Sequence, residues 1–384
     1  MTRDKKTRVI YIGSPELFSK GASAIHIMKM CQAMTRLGIE TELLLPNNRT
    51  RSELFEYYGI KSEFRLTSFP YFSNTSLRNI IHGLLAALYI KFFRANRYDV
   101  AVTRNIVFTY FATKFFQMPT LYDAHHRLVK GGSFLFDSFK NSKYLVGFST
   151  NSKGLSEIYL NLGLPEDKLV VAHNGVELER FYDLPSMKIC RENLGLPLEK
   201  KIVCYAGNIY KGRGIEQLIE IAPRFEDALF LVVGGLDEDV DRNKSIALSK
   251  DIKNIEFAGF VPHKDVPLYL KSSDILVMPY TTNMTIKGGT KAEQFTSPIK
   301  LFEYMAAAKP IVATSITSVE EILQDEVNSI LVEPDSSEAL HNGLEKVLTN
   351  DTLSENIAAQ AGREILKHTW EERVKKLLNL HLQL

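Results

Sequence analysis

Ser297-Pro298-Ile299-Lys300-Leu301-Phe302-Glu303-Tyr304-Met305-Ala306-Ala307-Ala308-Lys309-Pro310-Ile311-Val312-Ala313-Thr314 reads as a capped helix followed by a buried strand. Ser297 is of the type that accepts from the free N–H groups of a first turn, and Pro298 suits the first helical position. Lys300 and Glu303 lie three apart and so share a face near the helix start. Pro310 ends the helix, and the apolar run Ile311-Val312-Ala313 begins a strand. A helix N-terminus attracts negative charge, and a cation there adds to the pull. A carboxylate one turn further in can accept from hydroxyls. A diphosphate followed by a ribose matches that order of groups, although an ordinary surface helix with a Lys–Glu pair has the same spacing.

The same strand–helix alternation runs through the chain. Arg8-Val9-Ile10-Tyr11-Ile12 reads as a buried strand ending at Gly13, and a helix from about Ala22 to Leu37 is closed by Gly38. Thr41 to Leu45, Asp99 to Thr103, Thr120 to Asp123, Lys143 to Ser149 and Leu169 to Ala172 complete a first set of strands. A second set comprises Lys201 to Gly207, Leu229 to Gly234, Ile255 to Ala258, Asp274 to Met278, Pro310 to Thr314 and Ser329 to Val332. Short apolar runs between helical patterns imply parallel strands joined by crossover helices. The expected fold is therefore α/β, with two Rossmann-like doubly wound domains and ligands in the cleft between them. The expected boundaries are 1–180 and 181–367, with Phe181 to Pro197 as linker and a final helix, about 368–384, packing back on the first domain.

Composition narrows the class. With 384 residues, 45% hydrophobic and 24% charged, the chain is an ordinary globular one of about two domains. Cys31, Cys190 and Cys204 are too few and too scattered for a disulfide framework or a zinc site, which fits a reducing cytoplasm. Met1 to Arg8 is basic, but no signal-type apolar region follows. The net charge of +2 hides an asymmetry. Residues 1–170 hold 23 Lys/Arg against 13 Asp/Glu, and the remainder is acidic. The first half is thus expected to meet an anionic partner or surface. The longest apolar run, Ile80 to Phe93, is too short to span a bilayer and reads as a buried helix. Its flanking Arg78, Lys91, Arg94 and Arg97 also suit interfacial contact.

Chemistry-bearing residues gather where strands end. Gly13-Ser14-Pro15 lacks the G-x-G-x-x-G of a nicotinamide site, and Gly21-Ala22-Ser23 opens the first helix with small residues. Tyr122-Asp123-Ala124-His125-His126 places histidines where hydroxyl binding or proton transfer is performed. Gly207-Asn208-Ile209-Tyr210-Lys211-Gly212-Arg213-Gly214 joins glycines to two cations before a helix, without the G-K-[ST] of a P-loop. Asp237-Glu238-Asp239-Val240-Asp241 reads as a solvated helix start rather than a cation site. Nucleophile elbows, C-x-x-C pairs, HExxH and nucleic-acid motifs are absent.

In order and spacing these segments resemble the retaining glycosyltransferases of family 4, with the GT-B fold. The likeness takes in His26 and the first helix, Tyr122 to His125, His173-Asn174-Gly175-Val176-Glu177-Leu178-Glu179-Arg180-Phe181, Ala258-Gly259-Phe260-Val261-Pro262, the opening helix and the closing Trp370-Glu371-Glu372. The resemblance implies that Glu303 binds the nucleotide ribose, Arg213 contacts the donor diphosphate, and His125 is the active-site histidine near the transferred sugar. It also places Gly21 beside the donor phosphates, Phe260 and Val261 at the base, and Pro298 and Ile299 at the helix terminus facing phosphate and sugar. Three positions depart from the pattern. Phe295 stands where the first Glu of the Glu–seven residues–Glu motif belongs, with Glu293 off register. Asn208 replaces an Arg, and Arg213 replaces a Lys. Lys300 is placed to restore the charge missing at Asn208, which makes Arg213 and Lys300 the expected diphosphate clamp.

The expected activity is metal-independent transfer, with retention, of a sugar from a nucleotide-diphosphate donor, UDP favoured, to an acceptor hydroxyl. No cofactor or metal is expected beyond that co-substrate. The expected setting is bacterial glycan or glycolipid synthesis in the cytoplasm. The acceptor, a sugar or lipid-linked molecule, is expected to be anionic, with peripheral contact to anionic membrane and no nucleic acid. A sugar-nucleotide epimerase or hydrolase on the same fold, or a non-catalytic sugar-nucleotide binder, would use the same residues.

Overall fold

The computed structural model describes residues 6–19, 22–94, 97–128, 131–284 and 297–382, with side chains through 379. The chain forms two compact units. The first is Met1–Gly175 with Trp370–Leu384, and the second is Val176–Thr369.

The first unit is built on seven strands: β1 (Arg8–Ile12), β2 (Glu40–Pro46), β3 (Arg65–Phe69), β4 (Val100–Thr103), β5 (Thr120–Ala124), β6 (Leu145–Thr150) and β7 (Leu169–Val171). Their order is β3-β2-β1-β4-β5-β6-β7, and every pairing is parallel. The second unit has β8 (Lys201–Ala206), β9 (Ala228–Val233), β10 (Ile255–Gly259), β11 (Ile275–Met278), β12 (Ile311–Thr314) and β13 (Ile330–Val332), in the order β10-β9-β8-β11-β12-β13, again all parallel. Parallel strands need crossover helices that cover both faces of the sheet, which is why the central strands are apolar along their length. Tyr11, Ile12, Val102, Cys204, Phe230 and Val277 are all essentially buried. In each sheet the order reverses once, between β1 and β4 and between β8 and β11. At these reversals the crossovers diverge to opposite faces and leave a crevice at the carboxyl ends.

Four expectations need correcting. β3 is unannounced because Arg65-Leu66-Thr67-Ser68-Phe69 is an edge strand with polar residues in it and no apolar run. The segment 181–197 is not a linker. It carries the helices Glu179–Tyr182 and Met187–Leu194, the latter packed on the helix Val266–Ser272 inside the second unit. The unit boundary falls at 175/176, five residues before the one expected. The Ile80–Phe93 segment is not a buried helix either. It belongs to the helix Thr75–Tyr89 and the π-helical turn Ile90–Arg94. These bury Ala86, Ala87 and Ile90 but leave Leu77, Ile80, Leu84, Phe92 and Phe93 exposed. Among the described residues no helix is long and apolar enough to cross a membrane.

The closing helix Trp370–Leu382 lies in the first unit, against the helix Ala22–Arg36 and β6, with Trp370, Val374, Leu377 and Leu378 buried. The acidic run begins the helix Asp237–Ser249, as its sequence suggests.

Arg191 ties the supposed linker down. Its Nε donates to the Ser272 carbonyl at 2.8 Å, Nη1 to the Leu198 and Lys200 carbonyls at 3.0 Å, and Nη2 to Asp274 Oδ2 at 2.5 Å. Asp274 Oδ2 also accepts from the Ile202 N–H at 2.7 Å, which pins the start of β8. Arg191→Ala leaves the partly buried Asp274 and three backbone carbonyls without this partner, so it should lower the unfolding free energy by roughly 2–3 kcal/mol. Arg224→Ala, which breaks a solvent-exposed pair with Glu338, should leave stability nearly unchanged. Urea unfolding of both variants is the check, and equal losses would refute the assignment.

Candidate functional site

In the second unit the turn after β8 crosses the end of β11, and glycines make the crossing possible. Gly214 has φ +76°, and a Cβ there would lie 1.7 Å from the Pro279 carbonyl oxygen. Gly212 has φ +85°, and its Cβ would lie 2.6 Å from Met284 Cα. Only a residue without Cβ satisfies both the positive φ and the contact. The turn thereby carries Arg213 over Tyr280, with the guanidinium carbon 4.6 Å from the ring centroid and Nη1 3.0 Å from Met284 Sδ.

Lys300 reaches the same place from the helix Ile299–Ala306. Its Nζ stands 3.6 Å from the Tyr205 ring centroid and 4.7 Å from that of Tyr280. Its stem covers Gly207, where a Cβ would meet Nζ at 3.1 Å. The Nζ is buried, and no hydrogen-bond partner for it exists among the described residues. Burial first, and the Arg213 charge second, drive its pKa well below the usual lysine range. Ring faces offer a cation modest attraction and no acceptor. The turn and the helix thus bring two positive charges onto the same pair of tyrosine rings.

The helix start differs from its expected form. Pro298 is the cap residue, with φ −68° and ψ 122°, and Ile299 is the first helical residue. Ser297 stands one residue too early to cap it, and Pro298 provides no side-chain acceptor. The helix ends at Ala306, and the chain reverses at Ala308 (φ +49°), before Pro310 is reached.

One turn into this helix Glu303 is buried in an ion cluster absent from the sequence reading. Its Oε1 accepts from Arg180 Nη1 at 3.0 Å and stands 2.8 Å from His263 Nε2. Arg180 Nη2 donates to the His263 carbonyl. Burial alone would raise the Glu303 carboxyl. The His263 and Arg180 charges and hydrogen bonds outweigh it and hold the pKa at about 2. Both interactions fall on Oε1, and none is made by Oε2 among the described residues. His263 follows Phe260 and Val261 on the loop after β10, so that loop comes to Glu303. Phe260 is exposed. Asn208 gives its carbonyl to the Tyr205 hydroxyl. Gly21, Glu293 and Phe295 lie outside the described residues.

In the first unit Asp123 closes β5 as a fully buried carboxylate. Oδ1 accepts from Ser149 Oγ at 2.6 Å and Arg373 Nη2 at 2.7 Å. Oδ2 faces His125 Nε2 at 3.1 Å, with His26 Nε2 at 3.8 Å. Arg373 comes from the closing helix and also donates to the His173 carbonyl at 2.9 Å. Burial pushes Asp123 up, but Arg373 and His125 bring it well below the usual carboxylate range. His125 is pushed down to about 3 by burial and then by Arg104, so it is neutral. Asp123 Oδ2, which can only accept, lies nearer to His125 Nε2 than the donor Arg373 Nη2 at 3.3 Å, so the proton is assigned to Nε2. Nδ1 is left as an acceptor for a hydroxyl. His26 packs edge-on to His125 with ring centroids 4.4 Å apart, and both its nitrogens are buried without a bond.

His26, Asp123 and His125 bring ligand atoms within 4.8 Å of one another, close enough for a metal ion. A divalent ion would have to sit beside the Arg373 guanidinium, which already neutralises the carboxylate. The donor set fits a charge-paired hydrogen-bond cluster better than a metal centre.

The two units match two family models: Glycosyltransferase Family 4 over residues 23–180, and Glycosyl transferases group 1 over residues 186–364. An uncharacterised glycosyltransferase of Methanocaldococcus jannaschii is 25% identical over 62% of this chain and 58% of its own length. A phosphatidyl-myo-inositol mannosyltransferase of Mycobacterium leprae is 26% identical over 54% of this chain and 53% of its own. The aligned part thus spans between half and three fifths of these relatives. The structure of Anabaena Alr3699/HepE in complex with UDP-glucose superposes with TM-score 0.75 at 15% identity, covering 98% of this chain and all of that one. With its two parallel-sheet units and these matches, the chain belongs to glycosyltransferase family 4 and has the GT-B fold.

Proposed function

We propose that the protein transfers a hexosyl group, with retention at the anomeric carbon, from a nucleotide-diphosphate sugar to an acceptor hydroxyl. The observation that carries this reading is Lys300, whose buried ammonium has no hydrogen-bond partner beside Arg213 at a helix start. A diphosphate supplies the acceptor that Lys300 lacks and an anionic partner for the Arg213 charge beside it. Its negative charge grows as the glycosidic bond breaks, so preorganised cations act most strongly on the departing state. Glu303, one turn along, is held ionised with Oε2 available to ribose hydroxyls. His125 is assigned to a hydroxyl of the transferred sugar through Nδ1.

No carboxylate in either cluster is free to act as a nucleophile, because Asp123 and Glu303 are both committed to guanidinium groups. Front-face attack follows, with a donor phosphate oxygen taking the acceptor proton. Arg213 and Lys300 provide charge neutralisation without a metal. UDP is the favoured base, in keeping with the UDP-glucose complex of the Anabaena neighbour. The basic first unit suits an anionic, lipid-linked or glycan acceptor at the inner face of a bacterial membrane.

Arg213→Ala and Lys300→Ala should each lower kcat by about 10²–10³-fold, by analogy with loss of one oxyanion donor. Thermal-shift screening of UDP-, GDP- and ADP-sugars should identify the donor, followed by nucleotide release with candidate acceptors. Nucleotide release at full rate without acceptor would favour a hydrolase instead, and near-normal turnover in both variants would end the clamp reading.

Glu303 also sets a pH signature. A group whose folded pKa is depressed stays ionised until the pH approaches that value, here about 2. Donor affinity should therefore be flat on its account down to about pH 4. In Arg180→Ala one of the two groups that hold the carboxyl down is lost while His263, the larger influence, remains, so its pKa rises from that low value. The donor Kd of this variant should then weaken as pH falls below about 5, with kcat little changed. Calorimetric titration between pH 4 and 8 measures this, and parallel profiles for the two proteins would refute it.

A further inference from the structure

The stretch 64–122 holds seven Lys/Arg and a single acid, Asp99. It supplies the helix Thr75–Tyr89, the π-helical turn Ile90–Arg94 and the helix Ile106–Lys114, which pack side by side. Both are crossovers between parallel strands, so their C-terminal ends share the amino-end rim of the sheet. At that rim three aromatic rings stand in solvent: Phe92 is 71% exposed, Phe93 67% and Phe115 60%. Lys91, Arg97 and Lys114 are exposed around them and have no carboxylate partner among the described residues. Leu77, Ile80 and Leu84, spaced three and four apart, continue the apolar stripe along the helix to its start. There Arg78 and Asn79 bond Ser14 in the turn after β1. These exposed side chains belong neither to the Asp123 cluster nor to the Lys300 cluster.

We infer that this aromatic and basic face of the first unit docks on an anionic lipid bilayer, with the helix Thr75–Tyr89 lying along the interface. Apolar side chains enter the headgroup–acyl boundary while lysine and arginine meet anionic headgroups. A second copy of the chain fits the same surface poorly. A two-fold contact would bring Lys91, Arg97 and Lys114 toward their own equivalents. The helix start then lies near the bilayer together with the β1 carboxyl end, which would admit a lipid-anchored acceptor. Only that last step rests on the transferase reading. The docking itself does not.

Co-sedimentation of the full chain with phosphatidylcholine vesicles, with and without phosphatidylglycerol, is the test. Binding should require phosphatidylglycerol and weaken with salt. The double variant Phe92→Ser/Phe93→Ser should lose about tenfold or more in partitioning through lost apolar contact. Lys91→Glu/Arg97→Glu should lose at least about tenfold through charge. Neither variant touches the donor cluster, so turnover on a soluble acceptor should stay at the unmodified level and report correct folding. A wild-type chain indifferent to phosphatidylglycerol overturns the inference, as does a phenylalanine variant that binds like wild type. So does a dimer, seen by light scattering, that the phenylalanine changes dissolve without any vesicle binding. Vesicle binding is scored without turnover, so failure of either reading leaves the other standing.

Discussion

The close approach of Gly214 to the Pro279 carbonyl is the constraint on which the Arg213–Lys300 cluster rests. Strand order reverses between β8 and β11, and the turn leaving β8 must pass the end of β11 at a distance no side chain permits. Glycine accepts both the left-handed φ and the approach. Once the turn is pinned, Arg213 lies over Tyr280, and Lys300 enters from the facing helix onto Tyr205 and Tyr280. Two like charges then share aromatic walls, and the Lys300 ammonium has no hydrogen-bond partner among the described residues. The crowding costs stability, and it is sustained by the closely packed β8 and β11 beneath. Such stored electrostatic tension is characteristic of sites that bind a multiply charged ligand.

Both units solve a second problem in the same way. Each buries one carboxylate near the ligand crevice and holds it with an arginine from a distant part of the chain. Asp123 is paired with Arg373, 250 positions on, and Glu303 with Arg180, 123 positions back. A buried carboxylate without such a partner would take up a proton and change from acceptor to donor. The pairing keeps each one an acceptor. In the first unit the ionised carboxylate also favours the His125 tautomer with its proton on Nε2. The closing helix therefore sets the charge state of Asp123 as well as packing on the first unit.

How much was legible follows from the range of each interaction. Among the described residues twelve of the thirteen strands show as apolar runs, most of them because they are buried along their length. β3, at an edge, is the exception. Lys300, Glu303, Arg213 and His125 were visible because local motifs place them at strand ends or helix starts. Arg180 lay inside a recognised segment and His263 just beyond another, yet nothing in the spacing paired either with Glu303. The cap at Ser297 was misjudged because Pro298 fits both the cap and the first helical position, and only the backbone angles separate the two. The linker at 181–197 was misjudged because Arg191 is anchored by carbonyls and an aspartate up to 83 residues away.

The sequence by itself determined what depends on neighbours along the chain: strand and helix alternation, glycine positions, family membership and the basic first half. Tertiary structure alone decided what depends on desolvation and long-range pairing. It set which cation is buried without an acceptor, which carboxylates stay ionised and which nitrogen of His125 carries its proton. It also decided that one face of an apolar helix is left in solvent. Charge state and exposure are properties of an environment assembled from distant residues, so no local pattern encodes them.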